Sequence, residues 1–128
     1  MSPRTATTSP AAGRTRRWVY RFGGGTGVIS ACDVVIVLVV NADQVDAVLF
    51  GDNGAAPAMQ KGSVLVMSVT VAPDYAVRLA ARLSERGILM IDGPVSGGAA
   101  KAATGEMTVM GSGPPEAFAK CEAVLGAI

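Results

Sequence analysis

The chain has 128 residues, half of them hydrophobic and 16% charged, with a net charge of +1, two cysteines and no histidine; this suits about one domain. Without histidine there is no Ser-His-Asp or Cys-His machinery and no imidazole ligand, and Cys32 and Cys121 form no CxxC pair pointing to zinc or a disulfide framework. The longest apolar run, Val34 to Val40, has seven residues, against about 20 for a membrane-crossing helix.

Charge is unevenly placed. Residues 1–32 carry five arginines and no acid, whereas residues 33–128 carry six basic and ten acidic side chains. The first 17 residues, MSPRTATTSPAAGRTRR, show neither a helical nor a strand period and read as disordered. Arg, Ser and Thr without acids would also suit an organellar targeting peptide. A nucleic-acid role is not expected, because Trp18 and Tyr20 are the only aromatics among the five arginines. A cytoplasmic, reducing setting is expected, and no membrane contact. Residues 1–30 are thus set apart as a basic segment, and residues 31–128 as the folded domain.

From Asp33 the pattern changes. DVVIVLVV (33–40) is a β-branched run of the kind a parallel strand covered on both faces produces. Asn41 and Gln44 have the spacing of a capping box before Val45, Val48 and Leu49, with Gly51 closing that helix. SVLVMSV (63–69) predicts a second buried strand. Pro73 opens a helix whose apolar stripe is Val77, Ala80 and Leu83, with Ala76 and Leu79 beside it, and Gly87 ends it. Arg78, Arg82 and Arg86 fall on its outer, solvated face. ILMID (88–92) predicts a third strand and MTVMGSG (107–113) a fourth. Pro114 and Pro115 open a last helix with Phe118, Cys121 and Leu125 on its core face. Alternating strands and helices make an α/β fold of βαβ units, doubly wound or a piece of such a fold.

Between the third and fourth strands lies DGPVSGGAAKAATGEM (92–107). Ser96 offers a hydroxyl, and Gly97 and Gly98 remove side chains so that a ligand can approach backbone N–H groups. Such a loop at the carboxyl end of a strand sits where open α/β sheets place ligands. A glycine-rich turn that merely needs positive φ is the other reading the residues allow.

DGPVSGGAAKAATGEMTVMGSG resembles the substrate-binding signature of the β-hydroxyacid dehydrogenases, which include 3-hydroxyisobutyrate and L-threonate dehydrogenases and tartronate semialdehyde reductase. The resemblance runs from about Ala31 to the end, some 98 residues, and implies the second half of a Rossmann-type nucleotide-binding domain, with the strand 1 region missing or replaced. It implies that Ser96, Gly97 and Gly98 hold a substrate carboxylate. It also implies that Val39, Val40 and Asn41, where many relatives carry Leu-Pro, line NAD or NADP, and that Thr70 contacts the nicotinamide ribose region. The partner implied is a small 3-hydroxy acid. Lys101 does not occupy the family's catalytic-lysine position and reads as a solvated helix residue, so no catalytic residue and no metal ligand is assigned.

Two family parts find no match. FGGGTG (22–27) fails the GxGxxG template, which counted from Gly23 requires Gly where Val28 stands and counted from Gly25 requires Gly or Ala where Ser30 stands. The helical domain that carries the acid/base lysine in relatives is not matched either. The expected reading is therefore a nucleotide-binding-domain fragment of an oxidoreductase, inactive alone and weak or lacking in cofactor binding. The alternative is a non-catalytic interaction module or one half of a split enzyme. In either case the strand at 33–40 would expose an edge open to self-association or a partner chain, unless Trp18 to Phe22 folds back to fill it.

Overall fold

The computed structural model describes residues 7–10, 16–19 and 29–126. Two short strands, β1 (Thr7–Pro10) and β2 (Arg16–Val19), form an antiparallel pair of their own with Thr7 opposite Val19 and Pro10 opposite Arg16. This corrects the expectation of no regular structure up to residue 17. Thr, Trp and Val favour extended backbone, and so short a ladder leaves no apolar alternation for a periodicity argument to find. β2 pairs with β1 and not with the main sheet; Tyr20 to Phe22 and the FGGGTG stretch lie outside the described residues.

The main sheet is parallel, in the order β3 (Val34–Val37), β4 (Val64–Met67), β5 (Leu89–Asp92), with Val34 opposite Val64 and Val64 opposite Leu89. The period of two splits its side chains between two cores. On one face Val37, Leu65, Met67 and Met90 pack with Val45 and Leu49 of α1 (Ala42–Phe50) and Ala76, Leu79 and Leu83 of α2 (Pro73–Ser84). On the other face Val64, Val66 and Ile91 pack with Ala117 and Cys121 of α4 (Pro115–Leu125). Helices on both faces of a parallel sheet make the fold α/β and Rossmann-like.

Three elements differ from their sequence pattern. The strand predicted over 33–40 is hydrogen-bonded only from Val34 to Val37. Its residues are not all covered on both faces, because β3 is the edge of the described sheet. Ile36 is 38% exposed, Leu38 66% and Val40 79%. On α2 the buried stripe is Ala76, Leu79 and Leu83, and Val77 points outward at 71% exposure. The pattern could not settle the helix phase, because Ala and Val populate both flanks of the stripe.

The fourth strand does not join the parallel sheet. β7 (Thr108–Val109) pairs antiparallel with β6 (Val95–Ser96), and Ser112 exchanges both backbone hydrogen bonds with Asp92 at 2.8 Å. Residues 93–112 are therefore an excursion from the end of β5 that turns through α3 (Gly98–Thr104) and comes back alongside itself. Twelve residues between Val95 and Thr108 allow such a return, and α3 buries no residue, so nothing compels it to cross the sheet as a βαβ helix would.

Candidate functional site

The carboxyl ends of β3, β4 and β5 lie along one rim, tied together beyond the strands by two further bonds. The Ser68 amide donates to the Val37 carbonyl and the Gly93 amide to the Met67 carbonyl, each at 2.9 Å. With strands about 4.8 Å apart, the three exits span roughly 10 Å. Every residue singled out in the sequence leaves this rim. Val39, Val40 and Asn41 follow β3, Thr70 follows β4, and Ser96, Gly97 and Gly98 follow β5.

The turn after β3 is held by side chains. Asn41 caps α1, its Oδ1 accepting from the Gln44 amide at 2.9 Å, while Gln44 Oε1 accepts from the Val40 amide at 2.9 Å. Gln44 reaches one residue further back than in a strict capping box, and so braces the Val39–Val40–Asn41 turn itself. Val40 and Asn41 are exposed and Val39 is half-buried. Thr70 is exposed, five residues ahead of Tyr75 and three ahead of Pro73, which starts α2.

The loop after β5 depends on its glycines in two different ways. Gly97 has φ +125°, and a Cβ there would lie 2.6 Å from Lys101 Cβ and 2.8 Å from its Cγ. Gly98 has φ +63°, and a Cβ would meet nothing within 4 Å, so open space borders the backbone beside Ser96. Ser96 is paired in register with Thr108 and is exposed. Both sequence readings of this stretch therefore have a structural counterpart, since the turn needs positive φ and also leaves room at its backbone.

The ionisable groups nearest the loop are Asp92, Lys101 and Glu106. Burial raises the Asp92 carboxyl above its ordinary range. Lys101 lays its stem over Gly97 and brings its ammonium to 3.5 Å from Glu106, which also accepts from the Thr104 hydroxyl at 2.8 Å. Its side chain is 55% exposed, a solvated helix lysine. The segments 38–41, 68–72 and 93–98 contain no cation, and α1 and α2 carry Asp43 and Asp74 in their first turns. Among the described residues no cluster of three or more Cys, Asp or Glu is arranged to hold a metal ion, and no helix is long and apolar enough to cross a membrane.

One group of residues behind the rim had no sequence signal. The Tyr75 hydroxyl donates to Asp46 Oδ1 at 2.9 Å and lies 3.3 Å from the Ala42 carbonyl. Arg82, on a face the sequence pattern makes solvated, stacks 3.6 Å from the Phe50 ring centroid and sits 3.7 Å from Asp46. These partners are about 30 residues apart in sequence, beyond the reach of helix-face spacing.

Residues 7–128 match the family described as the NAD binding domain of 6-phosphogluconate dehydrogenase. The L-threonate dehydrogenase of Cupriavidus necator is 62% identical over 99 residues, 77% of this chain and 33% of that protein. The L-threonate dehydrogenase of Haemophilus influenzae is 50% identical over 95 residues, 74% of this chain and 32% of that protein. Among solved structures, a 3-hydroxyisobutyrate dehydrogenase from Salmonella typhimurium superposes with a TM-score of 0.76 at 45% identity, covering 80% of this chain and 35% of the other. Psf3, solved with NADP+ and 2-OPP, gives 0.70 at 28% identity, over 80% and 36%. The chain spans about a third of the length of the curated relatives it matches.

Proposed function

The chain belongs to the family of the 6-phosphogluconate dehydrogenase NAD-binding domain, within the β-hydroxyacid dehydrogenases, and from that premise we propose that it is the substrate-side half of an NAD(P)-binding domain, lacking turnover by itself. The observation that carries this reading is the single rim. The turn Val39–Val40–Asn41, Thr70 and the loop Ser96–Gly97–Gly98 leave three adjacent parallel strands at the same end, where open α/β sheets bind their ligands. The proposed division takes residues 31–128 as the nucleotide-binding part, inside a family match that spans residues 7–128.

The residues present fit part of a nicotinamide dinucleotide. Exposed Leu38 and Val40 offer apolar surface to a ring, and the open backbone at Gly98 offers N–H groups to a carboxylate. The diphosphate is poorly served, because none of the three turns carries a cation and Asp43 and Asp74 already occupy the first turns of α1 and α2. Charge-assisted hydrogen bonds contribute about 1.5–3 kcal/mol each. Without two or three of them, affinity falls by about 5 kcal/mol, several thousandfold, so a cofactor held at micromolar strength by an intact relative would be held at millimolar strength here.

A bound NAD(P)+ would supply the hydride acceptor for oxidation of a hydroxy acid. This chain's contribution is to hold the substrate carboxylate at Ser96, Gly97 and Gly98 and to wall the ring with Val39, Val40 and Asn41. Oxidation also requires a positioned base for the hydroxyl proton, worth typically about 10²- to 10⁴-fold. Lys101 does not serve, since its ammonium is directed to Glu106. A small 3-hydroxy acid is the substrate class, with L-threonate and 3-hydroxyisobutyrate the compounds to try first, given the relatives. The test mixes the purified chain with NAD+ or NADP+ and L-threonate, 3-hydroxyisobutyrate or glycerate. No sustained formation of reduced cofactor is expected, and sustained formation would overturn the proposal.

A second reading, an interaction module or half of a split enzyme, draws on β3, the edge of the sheet among the described residues, where Ile36, Leu38 and Val40 are exposed. An apolar, uncharged edge strand recruits further strands. It calls for concentration-dependent association in sedimentation, suppressed by Ile36→Lys. A monomer at all concentrations would remove self-association from this reading.

A further inference from the structure

We propose that Tyr75 is a positioning residue that sets the two cofactor-lining turns, Val39–Val40–Asn41 and Thr70, against each other through Asp46; the inference rests on the cofactor reading above. The two turns lie on different strands, and each runs into its own helix. Among the described residues no backbone hydrogen bond beyond Ser68 fixes the distance between them. The Tyr75 side chain does, because it stands in the first turn of α2 and its hydroxyl lies against the first turn of α1. Its one proton goes to Asp46 Oδ1 at 2.9 Å, with the Ala42 carbonyl beside it at 3.3 Å. Ala42 immediately follows Asn41, so a shift of this contact carries the Asn41 cap with it.

The same Asp46 oxygen has a second neighbour. Arg82 approaches it at 3.7 Å and is itself laid over Phe50 at 3.6 Å. One carboxylate oxygen thus meets both a guanidinium and a phenol, one from each end of α2, while Asp46 sits in the middle of α1. A partly buried hydroxyl with a charged acceptor loses more on truncation than a solvent-facing pair would. The contrast within the same helix is Arg78, whose 2.7 Å bond to Asp74 joins two exposed side chains and touches neither turn.

The test uses the whole isotope-labelled chain and compares Tyr75→Phe, Asp46→Ala and Asp46→Asn with Arg78→Ala. In Tyr75→Phe and Asp46→Ala the Val40 and Gln44 amides, which report the turn after β3, should exchange roughly fivefold faster, the equivalent of one net hydrogen bond of about 1 kcal/mol. The Val66 and Ile91 amides, buried in the sheet, should change less. Titration with NADP+ or NAD+ at millimolar concentration should give a dissociation constant about fivefold weaker in the same two variants. Asp46→Asn, which keeps an oxygen acceptor, should recover part of both effects, and Arg78→Ala should alter neither. Cofactor-induced shifts at 39–41 and 70 in the unaltered chain that persist at the same dissociation constant in Tyr75→Phe would overturn this inference alone. An unaltered chain that shows no such shifts would overturn the cofactor reading and the inference with it. Equal loss of protection throughout the sheet would overturn the positioning role in favour of a purely structural one.

Discussion

Replacing Gly97 and Gly98 one at a time by alanine separates a backbone requirement from a space requirement in the proposed carboxylate loop. At Gly98 alanine would sit at φ +63° with nothing near its Cβ, so the cost is that of one left-handed residue, about 1–2 kcal/mol. At Gly97, φ is +125° and ψ −12°. Strain there is about 1–3 kcal/mol, and the new Cβ overlaps Lys101 Cβ at 2.6 Å. That carbon is fixed to the helix backbone and cannot swing away, so α3 itself must move. A seven-residue helix that buries nothing has little stability of its own. The strain is therefore shed by local unravelling and not by the whole fold. The assay is amide exchange at Glu106, whose N–H donates to the Lys101 carbonyl at 2.9 Å, alongside urea unfolding. Gly98→Ala should speed that exchange by about tenfold, a loss of some 1.4 kcal/mol. Gly97→Ala should abolish the protection and any hydroxy-acid shift at Ser96, with global stability altered by less than about 0.5 kcal/mol. Full protection of Glu106 in Gly97→Ala, or a larger effect of Gly98→Ala, would refute the reasoning.

Three further outcomes follow from single contacts. Asn41→Ala removes the cap that accepts from Gln44 and should cost about 1 kcal/mol in urea unfolding; an unchanged midpoint would mean that the Gln44 bond to Val40 suffices. Burial raises Asp92 above its ordinary 3.8, so the folded state holds this proton more tightly than the unfolded one. The carboxyl's favourable contribution is complete below pH 3.8 and is lost as pH rises through the folded value. Asp92→Asn should thus stabilise the chain at neutral pH but not in acid, as thermal melts at the two conditions would register. Burial likewise pushes the Cys121 thiol above its ordinary 9.0, so the stability linked to it holds below pH 9.0 and falls as pH rises through the folded value. Alkylation of Cys121 at mildly alkaline pH should proceed no faster than global unfolding, and rapid labelling of the native chain would contradict its place in the core.

Much of the molecule was legible where local chemistry alone decides structure. Asn41 and Gln44 announce the start of α1, Pro73 and Pro115 start α2 and α4, and the uncharged runs at 34–37 and 64–67 read as strands because apolar side chains, many of them β-branched, occupy successive positions. What stayed hidden depends on neighbours. The seven apolar residues after Asp33 could not show that the described sheet ends at β3, leaving Leu38 and Val40 exposed. The direction of residues 108–112 was set by pairing with Val95 and Asp92, which sequence spacing does not specify. At the site, the signature loop was readable from its glycines, but the different needs of Gly97 and Gly98 were not. Tyr75 and Arg82 were invisible as a pair of braces, because Asp46 belongs to another helix.

The most direct measurement is a shift map of the labelled chain titrated first with NADP+ or NAD+ and then with L-threonate. The account predicts weak, millimolar responses confined to residues 39–41, 70 and 96–98. Responses centred elsewhere, or saturation at micromolar cofactor, would contradict it.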